Sequence, residues 1–324
     1  ALPYQIVDYE EPLYWESVYR DRAIIRERIR LAMGMSLRPE NREHPGHLTQ
    51  GLEESNIGEK YYEPPLMQVI PSACNGCPEN KYEVTSSCMG CVAHPCHSVC
   101  PKGAISMVEG KSVIDQEKCI KCGKCKEVCP YDAICHKERP CKAACGVNAI
   151  KSDKFGRAYI DNDICVSCGM CMVSCPFGAI ADKSQIFQLI RAMQSGKEVI
   201  AQVAPAFVGQ FGPKVTPDMF KTALKELGFA EVYETAIGAD LGCMAEAEHY
   251  VKEVATGNQS FALTSCCPSW SVMAKHLFPE TIDKISNELT PMVATARIIK
   301  EEHPDALVVF IGPCASKKLE ASRR

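Results

Sequence analysis

The stretch CIKCGKCKEVCP, residues 119–130, decides the fold of the middle of this chain. Its cysteines follow the spacing C-x2-C-x2-C-x3-C-P, and the stretch CVSCGMCMVSCP, residues 165–176, has the same spacing. Thiolates at this spacing wrap a [4Fe–4S] cube, because three of them bind one cube and the fourth reaches the neighbouring cube. Two copies of the pattern therefore favour iron–sulfur clusters over a structural zinc site.

An internal repeat surrounds both stretches. Four segments end alike, namely CHSVCPKGAI from Cys96, CKEVCPYDAI from Cys125, CKAACGVNAI from Cys141 and CMVSCPFGAI from Cys171. Successive starts are 29, 16 and 30 residues apart, so a two-part unit is used twice. Each part is too short to bury a core alone, and we expect the two parts of a unit to pair.

The cysteines suffice for four cubes, since 17 of the 21 lie between Cys74 and Cys175. Reciprocal pairing of the motifs gives three complete ligand sets: Cys88, Cys91, Cys96 and Cys129; Cys119, Cys122, Cys125 and Cys100; and Cys165, Cys168, Cys171 and Cys145. A fourth set, Cys135, Cys141 and Cys175, is one ligand short, and Cys74 or Cys77 completes it. The same thiols also allow three cubes with a zinc ion at Cys74, Cys77, Cys88 and Cys91.

The composition excludes several classes of partner. The 324 residues carry a net charge of −4, which gives no electrostatic reason to bind nucleic acid or an anionic membrane. No apolar run approaches the ~20 residues that span a bilayer, and no signal peptide opens the sequence. Closely spaced thiols without an export signal indicate metal ligation in a reducing cytoplasm rather than disulfides.

Three regions follow from the sequence pattern. Residues 1–68 lack cysteine and predict a helix within 13–33 followed by a linker. Residues 69–182 predict a tandem pair of dicluster ferredoxin-like modules of the α+β class. Residues 183–324 alternate strands with helices, which predicts an α/β domain with a largely parallel sheet covered on both faces.

Three loops in the last region are not repeated elsewhere in the sequence, and each follows a predicted strand. They are APAFVGQFG, TSCCPSW and GPCASKKLE, and they follow predicted strands at 198–204, 260–263 and 306–311. A further strand is predicted at 230–234. Ligands of open parallel sheets bind beyond the carboxyl ends of the strands, so we expect the three loops to converge on one crevice.

At these loops the sequence resembles the [FeFe]-hydrogenases. TSCCPSW and GPCASKKLE are similar to the first two active-site signatures of that family, TSCCPxW and xPCxxKxxE. VAPAF, residues 203–207, resembles a segment that lines the same pocket, and the whole resemblance covers roughly residues 70–324. Gly312 stands where the main branch has methionine, and together with the long N-terminal region this resembles the group B monomeric branch.

The resemblance implies an H-cluster, a [4Fe–4S] cube joined through a cysteine sulfur to a two-iron unit that carries CO and CN⁻. Cys267 and Cys314 then correspond to cube ligands, and Cys266 corresponds to a free thiol that passes protons. Lys317 corresponds to a charged donor to a cyanide ligand, and Glu320 has the spacing to hold this lysine. The implied pocket and proton-path residues are Ala204, Pro205, Ala206, Glu246 and Ser286.

The resemblance also implies a reaction, 2H⁺ + 2e⁻ ⇌ H₂, in an anaerobic cell. Its implied partners are a ferredoxin or similar electron carrier and the maturation proteins of the diiron unit. The third signature of the family, with two more cysteines, has no counterpart before Arg324, so we expect a truncated chain. Cys243 matches no signature and is expected to pack within a helical segment. The alternative function is a non-catalytic or sensory iron–sulfur electron-transfer protein that shares the fold.

Overall fold

The chain forms two compact units in this computed structural model, which describes residues 2–7, 11–12, 17–38, 49–55 and 65–322. Unit 1 combines Ala1–Ser72, Asn162–Gly169 and Ile180–Arg324, and unit 2 combines Ala73–Asp161 and Met170–Ala179. The domain limits at 68/69 and 182/183 follow the cysteine pattern and stay predictions. Most of the predicted linker and the first residues of the predicted N-terminal helix lie outside the described residues.

The described residues contain helices and strands in the following order along the chain. The helices are α1 (Leu2–Ile6), α2 (Val18–Ala32), α3 (Leu52–Ser55), α4 (Pro95–Ser98), α5 (Lys124–Glu127), α6 (Pro140–Ala143), α7 (Met170–Val173), α8 (Ile186–Gln194), α9 (Pro217–Glu226), α10 (Ala236–His249), α11 (Pro268–Leu277), α12 (Pro291–Glu302) and α13 (Ala315–Ala321). The strands are β1 (Met67–Val69), β2 (Lys81–Val84), β3 (Ile105–Val108), β4 (Lys111–Ile114), β5 (Ile134–Lys137), β6 (Ile150–Ser152), β7 (Ala158–Ile160), β8 (Ile180–Asp182), β9 (Val199–Val203), β10 (Glu231–Glu234) and β11 (Leu307–Ile311). None of these helices has both the length and the apolar character needed to cross a bilayer.

The predicted N-terminal helix is present as α2. It buries Leu31 on its apolar side, together with the charged residues Glu27 and Arg30. The Arg30 guanidinium donates to the carbonyl oxygens of Ser36 and Gln50, at 3.2 and 2.8 Å. Buried charges are tolerated when they are hydrogen-bonded, and these bonds hold α2 to the segments that follow it.

The parallel sheet of unit 1 has the strand order β10-β9-β11, with both outer strands parallel to β9. The central strand β9 is buried along its whole length. Val199 and Ala201 pack on one face with Leu224 of α9, and Ile200 packs on the other face with Ile299 of α12. The predicted parallel sheet with both faces covered is therefore confirmed for these three strands.

The predicted strand at 260–263 is wrong. Only Leu263 forms a β-bridge, to Ile285, and the described residues extend this bridge no further. The Leu263 N–H donates to the Lys284 carbonyl at 2.9 Å, and the Ser286 N–H donates to the Leu263 carbonyl at 2.7 Å. Among the described residues this short segment therefore pairs with the loop before α12 and adds no strand to the β10-β9-β11 sheet.

Unit 2 consists of small antiparallel strand pairs and one-turn helices. β2 pairs with β5, β3 with β4, and β6 with β7, while in unit 1 β1 pairs with β8. Ile105, Ile114 and Ile134 form a core that also contains the side chains of Cys96 and Cys125. The expected pairing within each repeated unit is present, since α4 contacts α5 and α6 contacts α7.

Candidate functional site

The four cysteine repeats of the sequence have one local structure. The first cysteine of each repeat lies in a one-turn helix and is buried: Cys96 in α4, Cys125 in α5, Cys141 in α6 and Cys171 in α7. The last cysteine of each repeat accepts a backbone N–H from the alanine four residues later: Ala104 to Cys100 at 3.3 Å, Ala133 to Cys129 at 3.4 Å, Ala149 to Cys145 at 3.2 Å and Ala179 to Cys175 at 3.4 Å. Hydrogen bonds to sulfur favour the thiolate, which is the form that binds iron.

A shared backbone conformation aims these N–H groups at the sulfur atoms. The residue before each alanine has a positive φ, between 48° and 55°: Gly103, Asp132, Asn148 and Gly178. Glycine, asparagine and aspartate are the residues that enter this region most readily. The isoleucine after each alanine is buried and begins a strand, so every repeat ends by anchoring its loop in a small sheet.

One cavity of unit 2 brings together the members of a predicted ligand set. It is lined by the thiols of Cys100, Cys119, Cys122 and Cys125, with Ile105 and Ile114 among its apolar walls. Burial raises the pKa of the Cys125 thiol, and the neighbouring thiolates of Cys119 and Cys122 add to the increase. Several thiolates in one apolar pocket repel one another unless cations neutralise them, so this donor set fits an iron–sulfur cube.

A second group of sulfur atoms gathers at Ser112 of β4. The Ser112 N–H donates to Cys88 Sγ at 3.5 Å, and the Ser112 hydroxyl lies 3.4 Å from Cys96 Sγ. This backbone N–H and that of Gly90 lower the pKa of the Cys88 thiol. Cys88 and Cys96, two members of another predicted ligand set, therefore lie at one strand.

Five further thiols of unit 2 lie elsewhere, and Cys135 lies apart from the other four. Cys74 Sγ accepts the Ala158 N–H of β7 at 3.3 Å. Burial, together with the charges of Cys175, Cys74 and Cys77, raises the pKa of the Cys141 thiol to about 11. Cys135 lies on β5, opposite Glu83 of β2.

The described residues contain no group of three or more His, Cys, Asp or Glu side chains arranged around a single ion. A tetrahedral zinc site draws its four sulfur atoms to within about 4 Å of one another. The zinc alternative at Cys74, Cys77, Cys88 and Cys91 stays a prediction.

In unit 1 the two signature cysteines Cys267 and Cys314 directly precede helices. Cys267 is the N-cap residue of α11, and Cys314 is the N-cap residue of α13. The Ser269 N–H donates to Ser316 Oγ at 2.8 Å, and the two serine hydroxyl oxygens lie 2.7 Å apart. Both serines are buried, so these bonds fix the start of α11 to the start of α13.

The same serine pair reaches a cysteine loop of the second ferredoxin motif. Ser269 Oγ lies 2.6 Å from the carbonyl oxygen of Val166, which stands between Cys165 and Cys168. A carbonyl oxygen only accepts, so the Ser269 hydroxyl donates to Val166 and the Ser316 hydroxyl donates to Ser269. A chain of hydrogen bonds thus connects the loop of residues 165–168 with both signature segments.

The two adjacent lysines of α13 have different partners. Lys317 Nζ donates to the Cys266 carbonyl and to Glu320 Oε2, both at 2.9 Å, and its side chain is 12 % exposed. The contact that the sequence spacing predicts between Lys317 and Glu320 is therefore present. Lys318 Nζ donates to the Lys183 carbonyl at 2.9 Å and to the Asp182 carboxylate, so Lys318 fastens α13 to the end of β8.

The loops after β9 and β11 begin side by side, and the predicted crevice shared by all three loops stays a prediction. The Ala204 N–H donates to the Ile311 carbonyl at 2.9 Å, and a 3₁₀ turn at Pro205–Phe207 follows. A Cβ added to Gly312 falls within 2.9 Å of the Phe310 ring and of Ala204 Cβ, so a larger residue does not fit there unless these side chains shift. The loop geometry thus explains glycine at this position. Pro205 and Ala206 are exposed.

The structure leaves the predicted proton path unconnected. Glu246 lies half-buried on α10, and Ser286 Oγ accepts the Glu288 N–H at 3.2 Å. No hydrogen bond within the described part of the chain joins either residue to Cys266. Cys243, expected to be packed, lies on α10 but is exposed, as are the neighbouring Leu241 and Met244, because no described element covers this part of the helix. The thiols of Cys266, Cys267 and Cys314 are also exposed.

Sequence reasoning missed Ser269, Ser316 and Arg139. The serines stand next to signature residues, but nothing in the spacing shows that they meet 47 positions apart. Arg139 is 2 % exposed and bonds the Cys77 carbonyl across 62 positions. Its only local signal is its place directly before the proline that opens α6.

Comparisons with known proteins agree with these placements. The family model described as the iron only hydrogenase large subunit, C-terminal domain, matches residues 197–324. The model of the 4Fe-4S binding domain matches residues 112–135 and 158–181.

Similar curated proteins include two hydrogenases and one assembly factor. Iron hydrogenase 1 of Clostridium pasteurianum is 31% identical over 247 residues, which cover 69% of this chain and 42% of that protein. The NADP-reducing hydrogenase subunit HndD of Solidesulfovibrio fructosivorans is 30% identical over 242 residues, which cover 67% of this chain and 40% of that protein. The cytosolic Fe-S cluster assembly factor NAR1 of Meyerozyma guilliermondii is 28% identical over 108 residues, which cover 31% of this chain and 20% of that protein.

The chain thus spans less than half the length of the two hydrogenases that it matches. The hydrogenase domain model covers both signature segments, and the cluster model covers both C-x2-C-x2-C-x3-C stretches. The protein is an [FeFe]-hydrogenase-like iron–sulfur protein.

Proposed function

We propose that the protein is an [FeFe]-hydrogenase that catalyses 2H⁺ + 2e⁻ ⇌ H₂, with electrons arriving from a ferredoxin-like carrier through [4Fe–4S] clusters. One observation carries the proposal. The hydrogen-bonded junction of Ser269 and Ser316 sets Cys267 and Cys314 at adjacent helix starts and ties both to the loop of residues 165–168. A relay that ends at a reaction site needs this kind of fixed connection. Closely spaced thiols suit a reducing, anaerobic cytoplasm.

Cys267 and Cys314 are the residues that hold the cube of the H-cluster in this proposal. These two thiols are half of the four that a cube needs, and they suit it because both are free and directly precede helices, where backbone N–H groups favour thiolates. When bound, the H-cluster supplies the diiron centre at which H₂ is formed or split. Its assembly requires the maturation proteins of the diiron unit.

Cys266 is the residue that passes protons in this proposal. Lys317 holds the Cys266 carbonyl, so the free thiol is presented from a backbone position that Glu320 in turn stabilises. A thiol fixed beside the reacting atoms can donate and accept a proton as a general acid and base. The same ammonium group of Lys317 is the charged donor available to an anionic ligand.

The relay uses the ligand sets that the motifs predict. Cys100, Cys119, Cys122 and Cys125 hold one cube, and their common cavity supports this assignment. Cys88, Cys91, Cys96 and Cys129 hold a second cube, supported by the meeting of Cys88 and Cys96 at Ser112. The third set, Cys165, Cys168, Cys171 and Cys145, rests on motif spacing.

A second candidate function is electron transfer or sensing without catalysis. The similarity to the assembly factor NAR1 favours it, because that protein shares sequence with this chain and its name describes cluster assembly. The exposed thiols of the signature segments are compatible with it as well.

Hydrogen evolution separates the two candidates. We expect the protein, expressed from its complete open reading frame with diiron-site maturation proteins, to evolve H₂ from reduced methyl viologen under strictly anaerobic conditions. The same preparation without the maturation proteins is the control and should be inactive. A matured preparation with its clusters loaded that evolves no H₂ contradicts the hydrogenase proposal and leaves the non-catalytic function.

A further inference from the structure

Two cysteine loops of unit 2, CNGC at 74–77 and CMGC at 88–91, have the same structure. The glycine of each loop has a φ of +58°: Gly76 in the first and Gly90 in the second. Each glycine lies against the carbonyl oxygen of a glycine in a hairpin turn, since the nearest atom to an added Cβ is Gly156 O for Gly76 and Gly110 O for Gly90. The two loops therefore lie against equivalent turn carbonyls, at 2.0 Å from the added Cβ of Gly90 and 3.4 Å from that of Gly76.

The first cysteine of each loop also accepts a hydrogen bond from an equivalent backbone N–H group. Cys88 Sγ accepts the N–H of Ser112 on β4, the second strand of its hairpin. Cys74 Sγ accepts the N–H of Ala158 on β7, the second strand of the other hairpin, at 3.3 Å. Both contacts place a thiolate beside a backbone donor at equivalent positions of two hairpins.

The order of elements along the chain completes the correspondence. After Cys91 come α4 with Cys96, the hairpin β3–β4, and the motif that ends at Cys129. Residues 81–137 are closed by the pairing of β2 with β5 and lie wholly between Cys77 and Cys141. With this insertion set aside, Cys77 is followed by α6 with Cys141, the hairpin β6–β7, and the motif that ends at Cys175.

One buried cation, the Arg139 guanidinium, connects the segments that carry Cys74, Cys77 and Cys141. The Arg139 guanidinium donates to the Cys77 carbonyl through Nε at 3.0 Å and through one terminal nitrogen at 2.8 Å. It also donates to the Gly156 carbonyl at 2.8 Å and to Ser152 Oγ at 2.9 Å. Arg139 directly precedes α6, so it connects the loop of residues 74–77, the β6–β7 turn and the helix that carries Cys141.

The electrostatics of the thiols agree with this geometry. Burial raises the pKa of the Cys77 thiol, the charges of Cys74 and Cys175 add to the increase, and the nearby Arg139 opposes it. The Cys141 thiol has the same neighbours. The buried Arg139 guanidinium, which bonds the Cys77 carbonyl and lies 3.4 Å from a Glu79 carboxylate oxygen, is the cation beside this loop.

We propose that a fourth [4Fe–4S] cube is held by Cys74, Cys77, Cys141 and Cys175, and that Cys135 is not a ligand. In this proposal Arg139 positions the Cys77 loop and raises the reduction potential of this cube. The two dicluster modules are then nested rather than tandem, with residues 81–137 inserted into the outer module. A cation beside a cube favours its reduced, more negative state, which gives Arg139 its effect on potential. The inference deepens the relay of the proposed function, and its test reads cluster content and potential rather than turnover.

Iron analysis of single-cysteine variants tests the ligand set. In the anaerobically purified chain, Cys77→Ser and Cys141→Ser should each lose about four iron and four sulfide per chain. Cys135→Ser is the matched control and should keep the full content. Loss from Cys135→Ser together with retention in Cys77→Ser overturns the assignment. One zinc per chain that disappears in both Cys77→Ser and Cys91→Ser overturns it in favour of the zinc site.

Potentiometric titration followed by electron paramagnetic resonance tests the role of Arg139. Arg139→Gln should shift the midpoint of one cluster to a lower potential and leave the other midpoints in place. Arg139→Lys retains the charge and should restore most of the shift. If Arg139→Gln loses about four iron while Arg139→Lys keeps them, the positioning role is supported. Unchanged midpoints in Arg139→Gln with full iron content overturn the assigned effect on potential.

Discussion

Hydrogen evolution by a Cys266→Ala variant of the matured protein is expected to fall by at least about a hundredfold, because general acid–base groups contribute about 10²–10⁴-fold to rates. Lys317 bonds the backbone carbonyl of Cys266, which alanine retains, so the loop keeps its anchor. The substitution thus removes the thiol that is proposed to pass protons and leaves the cysteines assigned as ligands in place. The rate of H₂ formation from reduced methyl viologen, normalised to iron content, measures the effect.

Cys243→Ala is the matched control for this experiment. Cys243 is also an exposed cysteine of unit 1, but it lies on α10 outside both signature segments. Its replacement should leave turnover unchanged. Full turnover in Cys266→Ala contradicts the role of the thiol, and loss of iron from Cys266→Ala shows instead that Cys266 binds a cluster.

The second large effect is expected in the iron–sulfur unit, where Gly90→Ala should destabilise the fold by more than about 3 kcal/mol. An added Cβ at Gly90 falls 2.0 Å from the Gly110 carbonyl oxygen, which is a backbone atom and cannot rotate away. The φ of +58° adds a cost of about 1–2 kcal/mol for any residue with a side chain. The loop of residues 88–91 must therefore leave its hairpin, and we expect the variant to lose iron as well as stability.

Gly103→Ala separates the clash from the backbone strain. Gly103 has almost the same φ, +55°, but an added Cβ meets nothing within 4 Å. This variant should lose only about 1 kcal/mol and keep its iron. Anaerobic urea unfolding of both variants, with iron measured before unfolding, makes the comparison. Equal losses in the two variants contradict the close approach of Gly90 to Gly110.

Much of the fold follows from short-range signals in the sequence. Thr216 and Pro217 predict the start of α9, and the Thr216 hydroxyl indeed accepts the Met219 N–H at 3.2 Å. The alternation of strands and helices predicts β9, β10 and β11 because each signal lies within a few residues. The strand predicted at 260–263 is absent, because a strand needs a pairing partner and the local sequence pattern does not show whether one is available.

The parts of the site whose residues are close together in the sequence could be predicted. The cysteine spacing predicts the iron-binding loops, and the resemblance to the family signatures assigns roles to Cys266, Cys267 and Cys314 that stay predictions. The junction between Ser269 and Ser316 was not predictable, because it joins two helix starts that only the folded sheet brings together. The sequence left open whether Cys74 or Cys77 joins Cys141, because residues 81–137 separate these cysteines along the chain.

The most direct test of the account is the iron and acid-labile sulfide content of this chain after anaerobic purification. Four thiolate-bound cubes predict a brown protein with about sixteen iron and sixteen sulfide per chain, and paramagnetic signals of [4Fe–4S] clusters after reduction. A colourless, iron-free protein whose cysteines are paired in disulfides contradicts the central claim that these cysteines bind iron–sulfur clusters.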